Sequence, residues 1–426
     1  MTKGILVLLF CILIPEFVTG QNYVDYYNTG ISHFNKAEYK DFVEALSKAD
    51  SLRPNHPTIT YNLAIGYAKL NNFEKAFHVL KKRMGYSAGE TFLEDEEFLG
   101  LRETEYFNQL ERYYLEQNET HEKSNIAFQI DKKGFHPEGI DYDEESERFY
   151  ITDIHQGLIV SFSKDGNEKE IVSNVFEQGF WGLFGIKTDK IDNSIVWVTS
   201  SAVPEFKHYQ ESDKGRSVLL KISKKTGKVL MSYEVSGGQP HLFGDLLVTD
   251  NGDVYVTDSI QPHIYKLNRT TNTFDLFISN DLIWNLQGIA ISKDNSHLII
   301  SDYILGLLRV NIDSKKITTL LGDINHKTRG SDGIYLIDER LFLIQNGTSP
   351  VRVSYLTLNN DGSATNKEVH IVDQNVNEMT DPTLGVVIDS EFYFIGNSPW
   401  QYYKNEKPLY EKWPLLNIYK LVIDEV

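Results

Sequence analysis

The sequence predicts a mainly β protein, a six-bladed β-propeller preceded by an α-helical tetratricopeptide-like unit. Two observations carry this. The apolar period changes from helical to alternating near residue 125, and a strand–turn–strand motif then recurs six times to the C-terminus. Composition agrees, since 24 Tyr and 23 Phe with 29 Gly against 12 Pro suit many short strands joined by turns.

Residues 1–20 read as a signal peptide. Lys3 precedes the apolar run Ile5 to Ile14, which is too short to span a bilayer, and Val18, Thr19 and Gly20 end the segment. Its removal takes away Cys11, the single cysteine of the chain, so neither a disulfide framework nor a cysteine-based zinc site is expected. The expected location is outside the cytoplasm, periplasmic or secreted, with no membrane span. The net charge of −18 argues against nucleic acid as a partner.

Residues 21–117 form the helical unit. Gly30, Leu46 and Ala49 recur as Ala64, Leu80 and Arg83, each 34 positions on, which is the tetratricopeptide period. Pro54 closes the first repeat. Phe98, Leu101, Phe107 and Leu110 mark capping helices over 94–114. Two uses stay open for so short an array: a docking module, or a groove for a protein partner. A polar linker, 118–125, follows.

Residues 126–426 carry the six copies, anchored at Gly139, Gly185, Asp245, Gly288, Gly333 and Gly385, between 43 and 60 residues apart. That is blade spacing. Asp165-Gly166 and Asn251-Gly252 supply hairpin turns, and the polar stretch 205–216 reads as a surface insertion in blade 2. The residue before each anchor is expected to face the central channel: Glu138, Phe184, Gly244, Gln287, Asp332 and Leu384. Glu138, Gln287 and Asp332 would supply hard oxygen ligands from three blades, a set suited to Ca²⁺ first, with Mg²⁺ or Mn²⁺ as alternatives. On these residues alone, a water-filled channel without metal is an equal reading.

His136-Pro137-Glu138-Gly139, the Asp245 segment with Asn251 to Ser259, Gln287-Gly288-Ile289-Ala290 and Ser331-Asp332-Gly333 together resemble the gluconolactonase and regucalcin (senescence marker protein) family. The resemblance spans about residues 125–426. It implies one axial divalent cation held by Glu138, Gln287 and Asp332, with Asp332 also the catalytic base in hydrolysis of a lactone or small ester. Two positions depart from the family: Gln287 stands where it usually has Asn, and Gly244 where it has a second Asn. Asp245, Asn346 and Asn397 are candidate substrate contacts, the last two from Gln345-Asn346-Gly347 and Gly396-Asn397-Ser398. His136 and His241 lie within the axial motifs and are read as hydrogen-bonders or proton carriers. The rival reading is a non-catalytic binding or scaffold protein, and Gly244 favours it. No nucleophile elbow, phosphate-binding loop or H-E-x-x-H motif is present.

Overall fold

The computed structural model describes residues 22–426 except Ala88, Glu90, Glu168, Ser236, Asp281 and Leu282. The segment read as a signal peptide lies outside the described residues.

Helices α1 (Tyr23–Asn35), α2 (Tyr39–Leu52), α3 (Pro57–Lys69) and α4 (Phe73–Met84) form two antiparallel pairs, followed by α5 (Thr91–Glu94), α6 (Leu99–Arg102) and α7 (Glu105–Gln117). Asn22 and Asp25 form a capping box that starts α1. The small residues of the repeat are explained by close approach: a Cβ on Gly66 would lie 2.6 Å from Val43. Arg83, the one mismatch in the 34-residue repeat, sets its guanidinium 5.1 Å over the Tyr61 ring.

The propeller has six four-stranded antiparallel blades. Their inner strands are Pro137–Asp143, Gly182–Thr188, Phe243–Val248, Leu286–Ile291, Ile334–Ile337 and Gly385–Ile388. Blades 1 to 5 use four consecutive strands each. Blade 6 takes its outermost strand, Asn125–Ile130, from the other end of the sequence, paired in antiparallel register with Leu416–Val422. Aromatic and β-branched residues fill the spaces between blades; Phe149, Phe162 and Ile140 of blade 1 pack with Tyr393 and Ile418 of blade 6.

The anchor glycines have a steric cause. A Cβ on Gly139 would lie 2.3 Å from the Phe184 carbonyl oxygen, and one on Gly288 2.3 Å from the Asp332 carbonyl oxygen. Neighbouring inner strands therefore approach backbone to backbone. Gly288→Ala is expected to cost about 1–3 kcal/mol through overpacking, read as a lowered midpoint in denaturant titration; an unchanged midpoint would show that the strands can separate freely.

The helical unit is docked on the propeller face where the inner strands begin. The Arg53 guanidinium lies 4.2 Å from the Trp284 ring, and that of Arg329 lies 3.8 Å from the Tyr86 ring. Arg352 Nη2 donates to the Gly85 carbonyl at 2.9 Å, and Ser349 N to that of Tyr86 at 3.2 Å. The connection between the two units is itself tied down. Lys123 N and Ser124 N donate to Asp373 Oδ1 at 2.8 and 2.9 Å, and His121 pairs with Gln374 on the outer strand of blade 5.

Candidate functional site

The axial side chains are aimed by a repeated backbone irregularity. In blades 1 to 4 the pairing of the first two strands shifts between Pro137 and Ile140, Leu183 and Ile186, Phe243 and Leu246, and Leu286 and Ile289. Each shift brackets an anchor and the residue before it, so bulges turn Glu138, Phe184, Gly244 and Gln287 out of ordinary strand alternation.

Hydroxyls on the second strands then fix those bulges. Thr152 Oγ1 accepts from Gly139 N at 2.7 Å. Hydroxyls of Thr199 and Thr257 donate to the carbonyls of Gly244 and Gln287 in the following blade at 3.2 and 2.6 Å. Thr152 does the same to Phe184, Ser301 to Ser331, and Thr383 to Glu138 at 3.0 Å. The acceptors are mostly the carbonyls of the axial residues themselves. The hydroxyls of Thr152, Thr199, Thr257 and Ser301, on the second strands of blades 1 to 4, thus tie each blade to the next, and Thr383, just before the inner strand of blade 6, ties that blade to blade 1.

Glu138 and Asp332 face the same axis, where the Asp332 charge acts on Glu138, and both are 8 % exposed. Asp245, on the inner strand of blade 3, is 3 % exposed and its charge acts on Asp332. Asp381, which precedes the inner strand of blade 6, joins them. Burial and then the Asp245 charge push Asp332 up to about 7, against the hydrogen bond from Asn346. Asp381 also rises to about 7, by burial and the Asp332 charge. Glu138 is held well above the carboxylate range by burial and Asp332, and Asp245 is raised by burial. The lysine acting on the group is Lys187, which lowers Asp245, donates to the Gly385 carbonyl at 3.4 Å and lies 5.3 Å from the Tyr335 ring.

Neutral groups orient the carboxylates. Trp400 Nε1 donates to Glu138 Oε2 at 3.0 Å. Asn346 Nδ2 donates to Asp332 Oδ2 at 2.8 Å, while its Oδ1 accepts from the Tyr303 hydroxyl at 2.9 Å. Gln287 Nε2 donates to Asn285 Oδ1 at 2.8 Å, leaving Oε1 with only a 3.4 Å contact from Ser259. A Cβ on Gly244 would lie 3.4 Å from that same Oε1. The two departures in sequence, Gly244 and Gln287, are therefore in contact with each other.

Of the sequence candidates, Glu138, Asp332, Asp245 and Asn346 are brought together. Asn397 is engaged elsewhere: its Nδ2 donates to the Leu415 carbonyl and its Oδ1 accepts from Asn417 N, so it pins the base of an insertion over 398–415. That insertion roofs the site with Trp400, Tyr403, Tyr410 and Trp413. His136 is buried beneath it, with Nδ1 2.9 Å from the Tyr403 hydroxyl, and burial lowers its pKa well below the usual range. Asp381, Tyr303, Trp400 and Lys187 were not indicated by the sequence motif, because none directly precedes an anchor.

Open cavities lie outside the roof. One of about 190 Å³ is lined by Lys133, His155, Lys207 and Tyr410, and one of about 330 Å³ by Phe176, Trp181, Phe206 and Arg216. Neither includes an axial carboxylate. Trp400→Phe keeps the roof's bulk and removes the indole donor; the expected result is a further rise of the Glu138 pKa and about tenfold weaker cation binding, as losing an orienting partner does, measured by calorimetric titration. Equal affinity would mean the indole does not position Glu138.

Among the described residues no helix is long and apolar enough to cross a membrane. No family model matches the sequence, and no curated protein matches it. Solved structures do. The chain is similar to the major allergen Mala s 1 of Malassezia sympodialis at 15% identity, over 68% of this chain and 95% of that one, with a TM-score of 0.52. It is also similar to a calcium-binding protein, regucalcin, of Agrobacterium tumefaciens (14% identity, 70% and 93% covered, TM-score 0.49) and to a virginiamycin B lyase of Staphylococcus aureus (13%, 71% and 99%, 0.45). At these identities the likeness is one of fold.

Proposed function

We propose that this chain is an exported protein that binds one divalent cation at the propeller axis and hydrolyses a lactone or small ester there. The observation that carries the reading is the convergence of Glu138, Asp245, Asp332 and Asp381 from four different blades with one lysine beside them. Like charges so placed stay protonated or share a cation.

The donor chemistry, rather than a preformed cage, suits a hard cation: among the described residues no three of the axial carboxylates have oxygens within 4.8 Å of one another. Glu138, Asp332 and Asp381 offer carboxylate oxygens and Gln287 a carboxamide oxygen, the ligands Ca²⁺ takes with water completing its shell, and Mg²⁺ and Mn²⁺ are the alternatives. A bound cation would supply polarisation of the substrate carbonyl. The chain's own residues do the rest. Asp332, held near neutrality and oriented by Asn346, accepts a proton from the attacking water. Trp400 and the roof over 398–415 exclude bulk solvent and limit substrates to small ones. Asp245 and Lys187 set the field at the channel floor.

The second reading is a non-catalytic binding or scaffold protein. Docking of the helical unit on the same face as the axis favours it, since a partner held by that unit would sit beside the channel mouth. Metal analysis of purified protein, followed by a panel of lactones and esters assayed with Ca²⁺, Mg²⁺, Mn²⁺ and chelator, separates the two. One cation per chain with chelator-sensitive turnover supports hydrolysis; one cation with no turnover supports the binding reading; no cation rejects the axial site.

A further inference from the structure

Blade 3 departs from its neighbours at one repeated position. The second strands of blades 1, 3 and 4 end in Asp153, Asp258 and Asp302, and each turns Oδ1 onto backbone N–H groups of the following turn. The other oxygen is satisfied internally in two of them, by Gln156 Nε2 at 3.1 Å in blade 1 and Trp284 N at 2.6 Å in blade 4. In blade 3 Asp258 Oδ2 faces His241 Nδ1 at 2.6 Å instead. His263 completes the group, and one ligand atom from each of the three lies within 4.8 Å of the others. Asp258 is fully buried, His241 is 8 % exposed and His263 is half-buried, so the cluster opens to solvent on the His263 side.

We infer that His241, Asp258 and His263 form a second metal site, for a borderline transition ion with Zn²⁺ the first choice. Two imidazole nitrogens and one carboxylate oxygen are a zinc-type donor set, unlike the all-oxygen set at the axis, and three protein ligands leave a position for water. The parts a metal site requires beyond its ligands are in place. Asp258 is anchored by three backbone donors, Leu242, Ile260 and Gln261, at 3.0–3.1 Å. His263 Nδ1 lies 3.0 Å from the Tyr265 hydroxyl, which fixes the ring and leaves Nε2 for coordination. The His241–Asp258 distance is that of a hydrogen bond, whereas ligands around tetrahedral zinc, bound at about 2.0–2.1 Å, stand about 3.3 Å apart. Metal entry therefore requires the proton shared between His241 Nδ1 and Asp258 Oδ2 to leave that position, the metal-bound imidazole being neutral with its single proton on Nε2, and moves the ring by less than about 1 Å.

The test is Zn²⁺ titration of the full chain with Ca²⁺ in excess, together with visible absorption of the Co²⁺-loaded protein. One Zn²⁺ per chain is expected, with affinity about 100-fold or more weaker in His263→Ala and His263→Gln, unchanged in Asp332→Asn, and with the Co²⁺ spectrum lost in the His263 variants. The two His263 variants differ in bulk, and metal-free unfolding midpoints equal to wild type show that they fold. Absence of stoichiometric Zn²⁺ binding, or equal binding in the His263 variants, overturns the site and leaves a buried His–Asp hydrogen bond. Binding lost in Asp332→Asn and kept in His263→Ala places the ion at the axis and also overturns it.

Discussion

Asp332→Ala is expected to lower cation-dependent hydrolysis by about 10²–10⁴-fold, the contribution of a positioned general base, and to weaken cation binding in the same protein. Both losses have one source, because Asp332 is at once an oxygen donor at the axis and the carboxyl pushed up to about 7. Two further variants separate the roles. Asp332→Asn keeps the size of the side chain while removing the charge and the base. Asn346→Ala leaves the carboxylate and removes the 2.8 Å hydrogen bond that orients it, with an expected loss of about tenfold in kcat and little in KM. Wild-type turnover in Asp332→Ala would reject the base assignment and leave the fold untouched.

The metal-free protein is expected to lose thermal stability as pH rises from about 5 to 8. Asp332 and Asp381 stand near 7 in the folded chain against an ordinary value of 3.8. Between those values the folded chain holds protons that the unfolded chain has released, so stability falls with rising pH. The contribution is complete below about 4 and gone above about 7. Each unit of raised pKa corresponds to about 1.4 kcal/mol, so the rise from 3.8 to about 7 at both axial carboxyls sets an upper bound on the order of 10 kcal/mol for the pair. Asp153, raised to about 7 by burial away from the axis, acts with the same sign. The axial share is therefore the difference in slope between wild type and Asp332→Asn. Calcium should stabilise the protein more at pH 8 than at pH 5, since it replaces the protons. Scanning calorimetry at both pH values, with and without chelator, measures this; identical slopes in wild type and Asp332→Asn would show that the axial carboxyls are not coupled to folding.

The blades were legible in the sequence because their periodicity is local. Each anchor, from Gly139 to Gly385, falls in or beside an inner strand, and the backbone contacts at Gly139 and Gly288 explain why the motif uses glycine there. The axial carboxylates were legible where the residue before an anchor is acidic, at Glu138 and Asp332, whereas Gln287 is hydrogen-bonded to Asn285 and Ser259. In blade 6 that rule points to Leu384, whereas the acidic group comes from Asp381, three residues earlier on a loop whose path depends on the packing of blade 5. Trp400 lies two residues beyond Gly396-Asn397-Ser398, the segment from which Asn397 was singled out. The docking of the helical unit left no pattern at all. It rests on single long-range pairs such as Arg53 with Trp284 and Arg329 with Tyr86, which belong to no repeat.

The outermost strand of blade 6, Asn125–Ile130, bears on how the chain matures during synthesis. It leaves the ribosome long before its partner Leu416–Val422, with which it pairs from Asn125 to Ile130 across a register shift between Ile126 and Phe128. Until that partner emerges, the ring stands open, and an unpaired strand waits next to the helices already made. Nearly 300 residues separate Ile130 from Leu416, a loop whose closure is entropically slow. Ring closure thus waits until Leu416–Val422 has been made, and before then the chain exposes at that edge a surface on which chaperones would be expected to act.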